Sequence, residues 1–250
     1  SEKIGYVLGD ASNAYGKVIS PLWLTRGEQS EVHYTPENGW DENHVKTFRR
    51  HIVNLGKTGL IFIYDELVAD EPVNWSYLLH TTENPMTVDQ SNHRFVHIQA
   101  TNRGGASDAY LFSTGTLQTD TTSRFFYPAV NWLRADDKGV FKKYPNHWHF
   151  SSTTVPCKVA RFLTVMDTHG NNRPDMKVVR NGNTVQVGDW VINCNLTEKG
   201  KAAITVTNKS EKVSLNYDAG KKEGATIVTD QIKGKQISKV LTDYLPDFEI

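Results

Sequence analysis

Net charge, a disulfide framework, long apolar runs and helical periodicity are all scarce in this 250-residue chain. Lysine and arginine number 28, and so do aspartate and glutamate, which leaves a formal net charge of zero. That balance argues against a nucleic-acid binder, where a basic excess is expected, and against a polybasic membrane contact. A local basic patch stays open. The two cysteines, Cys157 and Cys194, are too few for a disulfide scaffold. Both lie in or beside apolar strand-like segments, so we expect buried free thiols rather than one disulfide. No apolar run approaches the ~20 residues of a membrane span. The opening SEKIGYVLGD reads straight into a strand rather than as a secretory leader. We expect it to be a processed or truncated start, the chain being part of a longer one.

What is present is a series of short β segments punctuated by Gly, Pro, Asn and Asp. Phe48 to Asn54 and Leu60 to Tyr64 flank Gly56-Lys57-Thr58-Gly59 and predict a hairpin with a four- to five-residue loop. His93 to Ala100 alternates apolar and polar residues, the mark of a half-buried strand. Trp75 to His80 is rich in aromatics and leucine, and Ala109 to Ser113 and Val159 to Met166 read as strands in the style of His93 to Ala100. So do five segments between Thr184 and Thr229, spaced by roughly ten residues in the manner of an antiparallel meander. Helix-like spacing is confined to Asp41 to Thr47 and Gln236 to Tyr244. We therefore expect an all-β fold: a large multi-stranded antiparallel β-sandwich, or super-sandwich, with few or no helices. No Pro/Gly/Ser-rich linker divides residues 1–250, which reads as a single β-sandwich domain of two large stacked sheets. Tyr34 to Asn43 and Arg124 to Asn146 read as long loops, the second aromatic and basic, and long loops in compact domains are often functional.

Chemistry-bearing residues are sparse. His147-Trp148-His149 puts two imidazoles on one strand face, because residues i and i+2 share a side. Metal ligation would need a third ligand such as Asp167 or His169. The plainer expectation, which we adopt, is two solvated or hydrogen-bonded histidines around a core tryptophan, with no metal site. Arg49-Arg50-His51 and Lys142-Lys143 could take carboxylates or sulfates, arginine favouring bidentate contacts. The same residues also fit a solvated face. Trp23, Trp40, Trp132 and Tyr144 offer planes for sugar rings, though each alone fits ordinary packing. No hydrolase elbow, phosphate-binding loop or calcium loop is present. The adjacent acids Asp65-Glu66, Asp70-Glu71 and Asp136-Asp137 would point to opposite strand faces, so none makes a glycosidase pair by itself. Asp65 is expected to be structural: a strand-end acid that pairs with Arg49 or Arg50 and sets the hairpin register. Sequons occur at Asn74, Asn195 and Asn208.

Five segments in order carry a resemblance: "YVLGDASNAY" (Tyr6 to Tyr15), "FRRHIVNLGKTGLIFIYDELVAD" (Phe48 to Asp70), "WSYLLHTTENP" (Trp75 to Pro85), "NHWHF" (Asn146 to Phe150) and "ARFLTVMDTH" (Ala160 to His169). Together they resemble the C-terminal β-sandwich region of heparinase II/III-type polysaccharide lyases, over roughly residues 5 to 170. The resemblance implies a sandwich that forms one wall of a substrate cleft, the other wall being an N-terminal helical toroid not contained in this chain. It implies β-elimination at C5 of a uronate, with heparan sulfate or a related acidic polysaccharide as partner. A secreted or periplasmic setting follows, with no nucleic acid or membrane partner. Zinc or calcium is possible in such a parent enzyme. The family's early His/Asp motif does not precede GDASNAY here, so no catalytic residue is carried onto this chain, which alone is expected to be inactive. Substrate contacts are expected from Arg50, His80, His147, His149, Trp40, Trp132 and Tyr144. The alternative is a non-catalytic carbohydrate-binding β-sandwich module.

Overall fold

The computed structural model describes residues 3–15, 44–82, 84–123, 130–135, 138–143, 147–170, 176–221, 225–232 and 235–241. Among these residues there are nineteen strands and one short 3₁₀ turn (Ser12–Tyr15). The first eight strands are β1 (Gly5–Asp10), β2 (Val45–Asn54), β3 (Leu60–Val73), β4 (Ser76–Thr82), β5 (Thr87–Asn92), β6 (Phe95–Asn102), β7 (Gly105–Ser113) and β8 (Leu117–Thr122). A hairpin, β9 (Val130–Ala135) and β10 (Phe141–Lys143), follows, then β11 (His147–Thr154) and β12 (Cys157–Gly170). The chain continues as β13 (Val178–Asn181), β14 (Thr184–Val187), β15 (Trp190–Cys194), β16 (Ala203–Asn208), β17 (Val213–Asp218), β18 (Ala225–Ile232) and β19 (Lys235–Leu241).

The expected all-β sandwich is what the chain forms, and all the strand pairs are antiparallel. A central seven-stranded sheet has the order β1-β2-β3-β12-β7-β6-β5. A second seven-stranded sheet runs β13 through β19 in sequence, a pure meander. A third, of three strands, has the order β4-β11-β8. The layering therefore exceeds the two sheets expected, because the central sheet is covered on both faces.

The side-chain period of two explains how one sheet serves two cores. On β3, Leu60, Phe62 and Tyr64 join Leu163 and Val165 of β12 against Val185, Ile192, Ile204, Val206 and Leu215 of the meander. On the opposite face, Leu67 and Ala69 of β3 and Phe162 of β12 join Leu111, Tyr77, Leu117 and Phe150 beneath the three-stranded sheet. Ala160 to Val165 are consequently all buried, an uninterrupted run in which neither face meets water. Polar atoms also bridge the layers. The Tyr64 hydroxyl donates to the Asn195 carbonyl at 2.8 Å, and the buried Arg161 guanidinium donates to the carbonyls of Thr197, Lys199 and Gly200.

The β2–β3 hairpin forms at the expected place and is longer than the sequence implied. Its turn is closed by Thr58, whose hydroxyl donates to the Leu55 carbonyl at 2.8 Å and accepts from the Leu60 amide at 3.1 Å. Gly59 is required there: its φ is 79°, and an added Cβ would stand 2.3 Å from the Thr168 carbonyl oxygen. Three local expectations are corrected. Val45 to Thr47 and Lys235 to Leu241 are strand, not helix, because each pairs with a neighbour (Val45 with Ala69, Ile237 with Thr229) and pairing outweighs a weak helical period. Arg124 to Asn146 is not wholly loop, since it contains β9 and β10. Asp65 is not at a strand end but inside β3, which continues to Val73.

Candidate histidine cleft

β11 is the middle strand of the small sheet, and its register decides which side chains meet. His149 lies opposite His80 of β4 on one side and Thr122 of β8 on the other; His147 lies opposite Thr82. His147 is exposed and His149 is buried, with Trp148 half-buried against the core. The His149 and His80 rings meet edge to face, centroids 4.5 Å apart, with Nδ1 atoms 3.2 Å apart. In that hydrogen bond one Nδ1 donates and the other accepts, so one imidazole must lack a proton on Nδ1. Burial, and then the neighbouring His80, hold His149 below its ordinary value, with Asp120 pulling the other way. His149 is therefore neutral at neutral pH.

His80 also lines an open cleft of about 610 Å³ together with Thr81, Thr101, Asn102, Ser107 and His169. The Ser107 hydroxyl has no hydrogen-bond partner among the described residues. On the far wall His169 is held by Asp108, Nε2 to Oδ2 at 3.1 Å. Asp108 also meets His97 Nε2 at 2.7 Å and accepts from Gln99 Nε2 at 2.8 Å. Burial pushes the Asp108 carboxyl up, but hydrogen bonds from Gln99, His169 and His97 outweigh it and hold it below the usual carboxylate range. His97 is fixed in turn by stacking on Tyr110, centroids 4.3 Å apart and planes 6° from parallel. The cleft thus sets the His80–His149 pair across from an imidazole anchored on a buried carboxylate.

Of the seven expected contact residues, the fold brings together His80 and His149. His147 shares their strand face and is exposed. Arg50 belongs elsewhere: its Nε and Nη2 donate to the two Asp65 oxygens at 2.7 and 2.9 Å, and it does not line the cleft. The register-setting role expected of Asp65 is thereby found, with Arg50 and Asp65 as direct cross-strand partners. Arg49 turns to the other face and donates to Asp10 Oδ2 at 2.7 Å. Glu66 follows it there, accepting from Tyr217 at 3.3 Å, so Asp65 and Glu66 do point to opposite faces. Trp40 and Tyr144 lie outside the described residues; Trp132 falls on β9, its side chain likewise outside them.

A metal centre requires more than the pair supplies. Two nitrogens 3.2 Å apart suit neighbouring ligands of a tetrahedral ion, but among the described residues no three His, Cys, Asp or Glu side chains converge as a ligand set. His169 serves Asp108, and Asp167 accepts the Met176 amide at 3.0 Å. The described residues do not fit a resident zinc or calcium. Both cysteines are free thiols, Cys194 buried and Cys157 half-buried. Of the sequon asparagines, Asn74 donates through Nδ2 to the Thr154 carbonyl and Asn195 through Nδ2 to the Lys199 and Lys201 carbonyls, while Asn208 accepts through Oδ1 from the Ser210 hydroxyl and the Glu211 amide.

The Asp108 cluster was only partly visible beforehand. The alternation of β6 sets His97 and Gln99 on one face, and His169 enters only as a candidate third metal ligand beside His147 and His149. Nothing local tied either to Asp108. No helix among the described residues is long and apolar enough to cross a membrane. Comparison with models of known protein families and with curated proteins gave no match to this chain.

Proposed function

We propose that this chain is the sandwich unit of a uronate-polysaccharide lyase of heparinase II/III type, and that the histidine cleft is its contribution to the substrate wall. One observation supports the reading. The five segments that carry the resemblance lie on β1, the β2–β3 hairpin, β4, β11 and β12, and their pairing sets His80 beside His149 at a cleft. A cleft of this size suits two or three sugar units. The chemistry asks for the same furniture. Eliminating across C4–C5 of a uronate requires the C5 carboxylate to be neutralised by donors or cations, a base for the C5 proton, and an acid for the leaving O4. The cleft offers the polar side chains of His80 and Asn102, with a neutral His149 positioning His80 from behind. In this reading the remaining acid–base groups come from a helical partner domain.

The test is to titrate the chain with heparan sulfate, unsulfated uronate polymers and neutral glycans, and to follow the ultraviolet absorbance of an unsaturated uronate product. Uronate binding without product is expected, weakened about tenfold by His80→Ala, the loss of one hydrogen bond to a carboxylate. Affinity for neutral glycans alone would favour a carbohydrate-binding module instead, and absence of all glycan binding would sink both readings. Rapid product formation by the chain alone would overturn its assignment as a non-catalytic wall.

A further inference from the structure

On the other side of β6 and β7 a second open cleft, of about 630 Å³, lies between the β5–β6 turn, β7 and β13. Its lining includes Arg94, Arg180, His93, Asn92 and Ser91, and contains no carboxylate. The two guanidiniums come from sequence positions 94 and 180, so two separate layers of the sandwich converge to place like charges together. Like charges side by side repel, and a fold normally separates them or inserts an acid between them. Here neither has happened: among the described residues neither arginine forms an ion pair. Partial burial pulls the Arg180 guanidinium below its ordinary value; Cys194 acts upward and Arg94 downward.

Arg180 is also held in place. Its Nε donates to the Gly182 carbonyl at 2.9 Å, and its guanidinium carbon sits 5.2 Å over the Phe112 ring. Phe95 lies beside Phe112, tilted by 30° with centroids 5.0 Å apart, and the two rings make the floor. The turn carrying Arg94 is pinned as well. Its amide donates to Asn92 Oδ1 at 2.9 Å, its carbonyl accepts the Ser113 amide at 3.0 Å, and the His93 carbonyl accepts the Leu117 amide at 2.7 Å. A held Arg180 guanidinium on an aromatic floor, with Arg94 projecting from a fixed backbone beside it, is an arrangement suited to an oxyanion, arginine favouring bidentate contacts.

We propose that the Arg94–Arg180 cleft is an anion-binding subsite that takes a carboxylate or sulfate group of an acidic glycan. The glycan rests on the functional reading above; the oxyanion recognition stands on the two arginines alone. Distinct from the histidine cleft, this subsite contributes affinity and register along the polymer rather than chemistry.

The test titrates the full chain, by NMR of the arginine Nε–H signals, with sodium sulfate and sodium acetate, and by calorimetry with sulfated and unsulfated uronate oligosaccharides. We expect both simple anions to shift Arg94 and Arg180 signals in saturable fashion. The ratio of the two oligosaccharide affinities then tells which oxyanion the subsite prefers. Arg180→Gln and Arg94→Gln should each lower oligosaccharide affinity about tenfold and flatten its salt dependence. Arg180→Lys, which keeps the charge and loses the fork, should fall between. Both arginines are exposed, so circular dichroism and melting are expected to match the parent chain. Oligosaccharide binding that is unchanged in Arg94→Gln/Arg180→Gln overturns the subsite and leaves the lyase reading intact. Simple-anion binding lost in that double variant, with no glycan bound by the parent chain, supports oxyanion recognition and overturns the glycan. No saturable shift with either simple anion and no variant effect refutes it outright.

Discussion

Replacing Arg50 by methionine strips a buried carboxylate of its partner while keeping the stem that packs beside Tyr77, over whose ring the guanidinium now sits at 5.6 Å. The Asp65 side chain is 4% exposed and the Arg50 side chain 43%, so the acid is inside and the base reaches out to it. Removing one partner of a fully buried pair costs about 3–5 kcal/mol. Because water already screens Arg50, a cost below that range applies, about 2–3 kcal/mol. With a urea m-value near 3 kcal/mol/M the midpoint should fall by roughly 0.8 M. The sign of the pH dependence follows from the direction of the Asp65 shift. Burial pushes Asp65 up, and the Arg50 hydrogen bonds and charge only partly offset this. A folded-state value above the unfolded one means that the folded chain holds the extra proton, so stability falls as pH rises through that window. Losing Arg50 pushes Asp65 further up and widens the window. The Arg50→Met deficit should therefore be largest at neutral pH and shrink at an acid pH where Asp65 takes up its proton. Adding Asp65→Asn should recover much of it and remove its pH dependence, giving a coupling of about 2 kcal/mol in the double-mutant cycle. Urea melts followed by the fluorescence of the buried Trp75 and Trp190 measure it. A deficit equal at both pH values, or a double variant whose loss is the simple sum, would refute the buried-carboxylate argument.

Four further outcomes are expected. Cys194 is buried and its thiol is pushed up to about 12, so a thiol reagent on the native chain should label the half-buried Cys157 alone, as peptide mass spectrometry would show. His149 sits below its ordinary value, so the wild type should lose stability as pH falls below the usual histidine range, and thermal melts of His149→Gln should show that slope reduced. Gly59→Ala should lower stability by about 2–3 kcal/mol, combining a left-handed φ with a backbone clash at Thr168; a Tm within a degree or so of wild type would refute the close approach. Arg161→Met should free the Thr197 to Gly200 carbonyls, and trypsin should then cut sooner at Lys199 or Lys201, with both rates read on gels.

The β2–β3 hairpin was legible because everything that defines it is local: a Gly-rich turn, two apolar runs, and an acid fifteen residues after an arginine. The depth of Asp65 was not legible, since Asp-Glu reads as a strand reaching water and only the cover of the three-stranded sheet keeps it dry. That sheet is itself the part that sequence hides. His80 and His149 are sixty-nine residues apart, and nothing near either announces that β4 and β11 are partners. Both were identified singly, for their types and spacing, but their contact is a property of register. The Arg94–Arg180 cleft is the extreme case, for it needs a turn in the first half of the chain to meet a strand of the meander. The meander was easy to foresee, because each of its strands pairs with the next.

The position of β12 between β3 and β7 has a consequence for how the chain is made. Both neighbours leave the ribosome long before it does, β3 with the apolar run Leu60-Ile61-Phe62-Ile63-Tyr64 along its length. From Ser113 until Gly170 has emerged, each has an unpaired edge, a few seconds at roughly 5–20 residues per second. Two nascent chains side by side on one message could pair β3 of one with β7 of the other, since each edge is built to accept an antiparallel apolar strand. Output of soluble protein should therefore depend on how quickly residues 114–170 are translated, and rare codons placed there should lower it while the same codons in the meander should not.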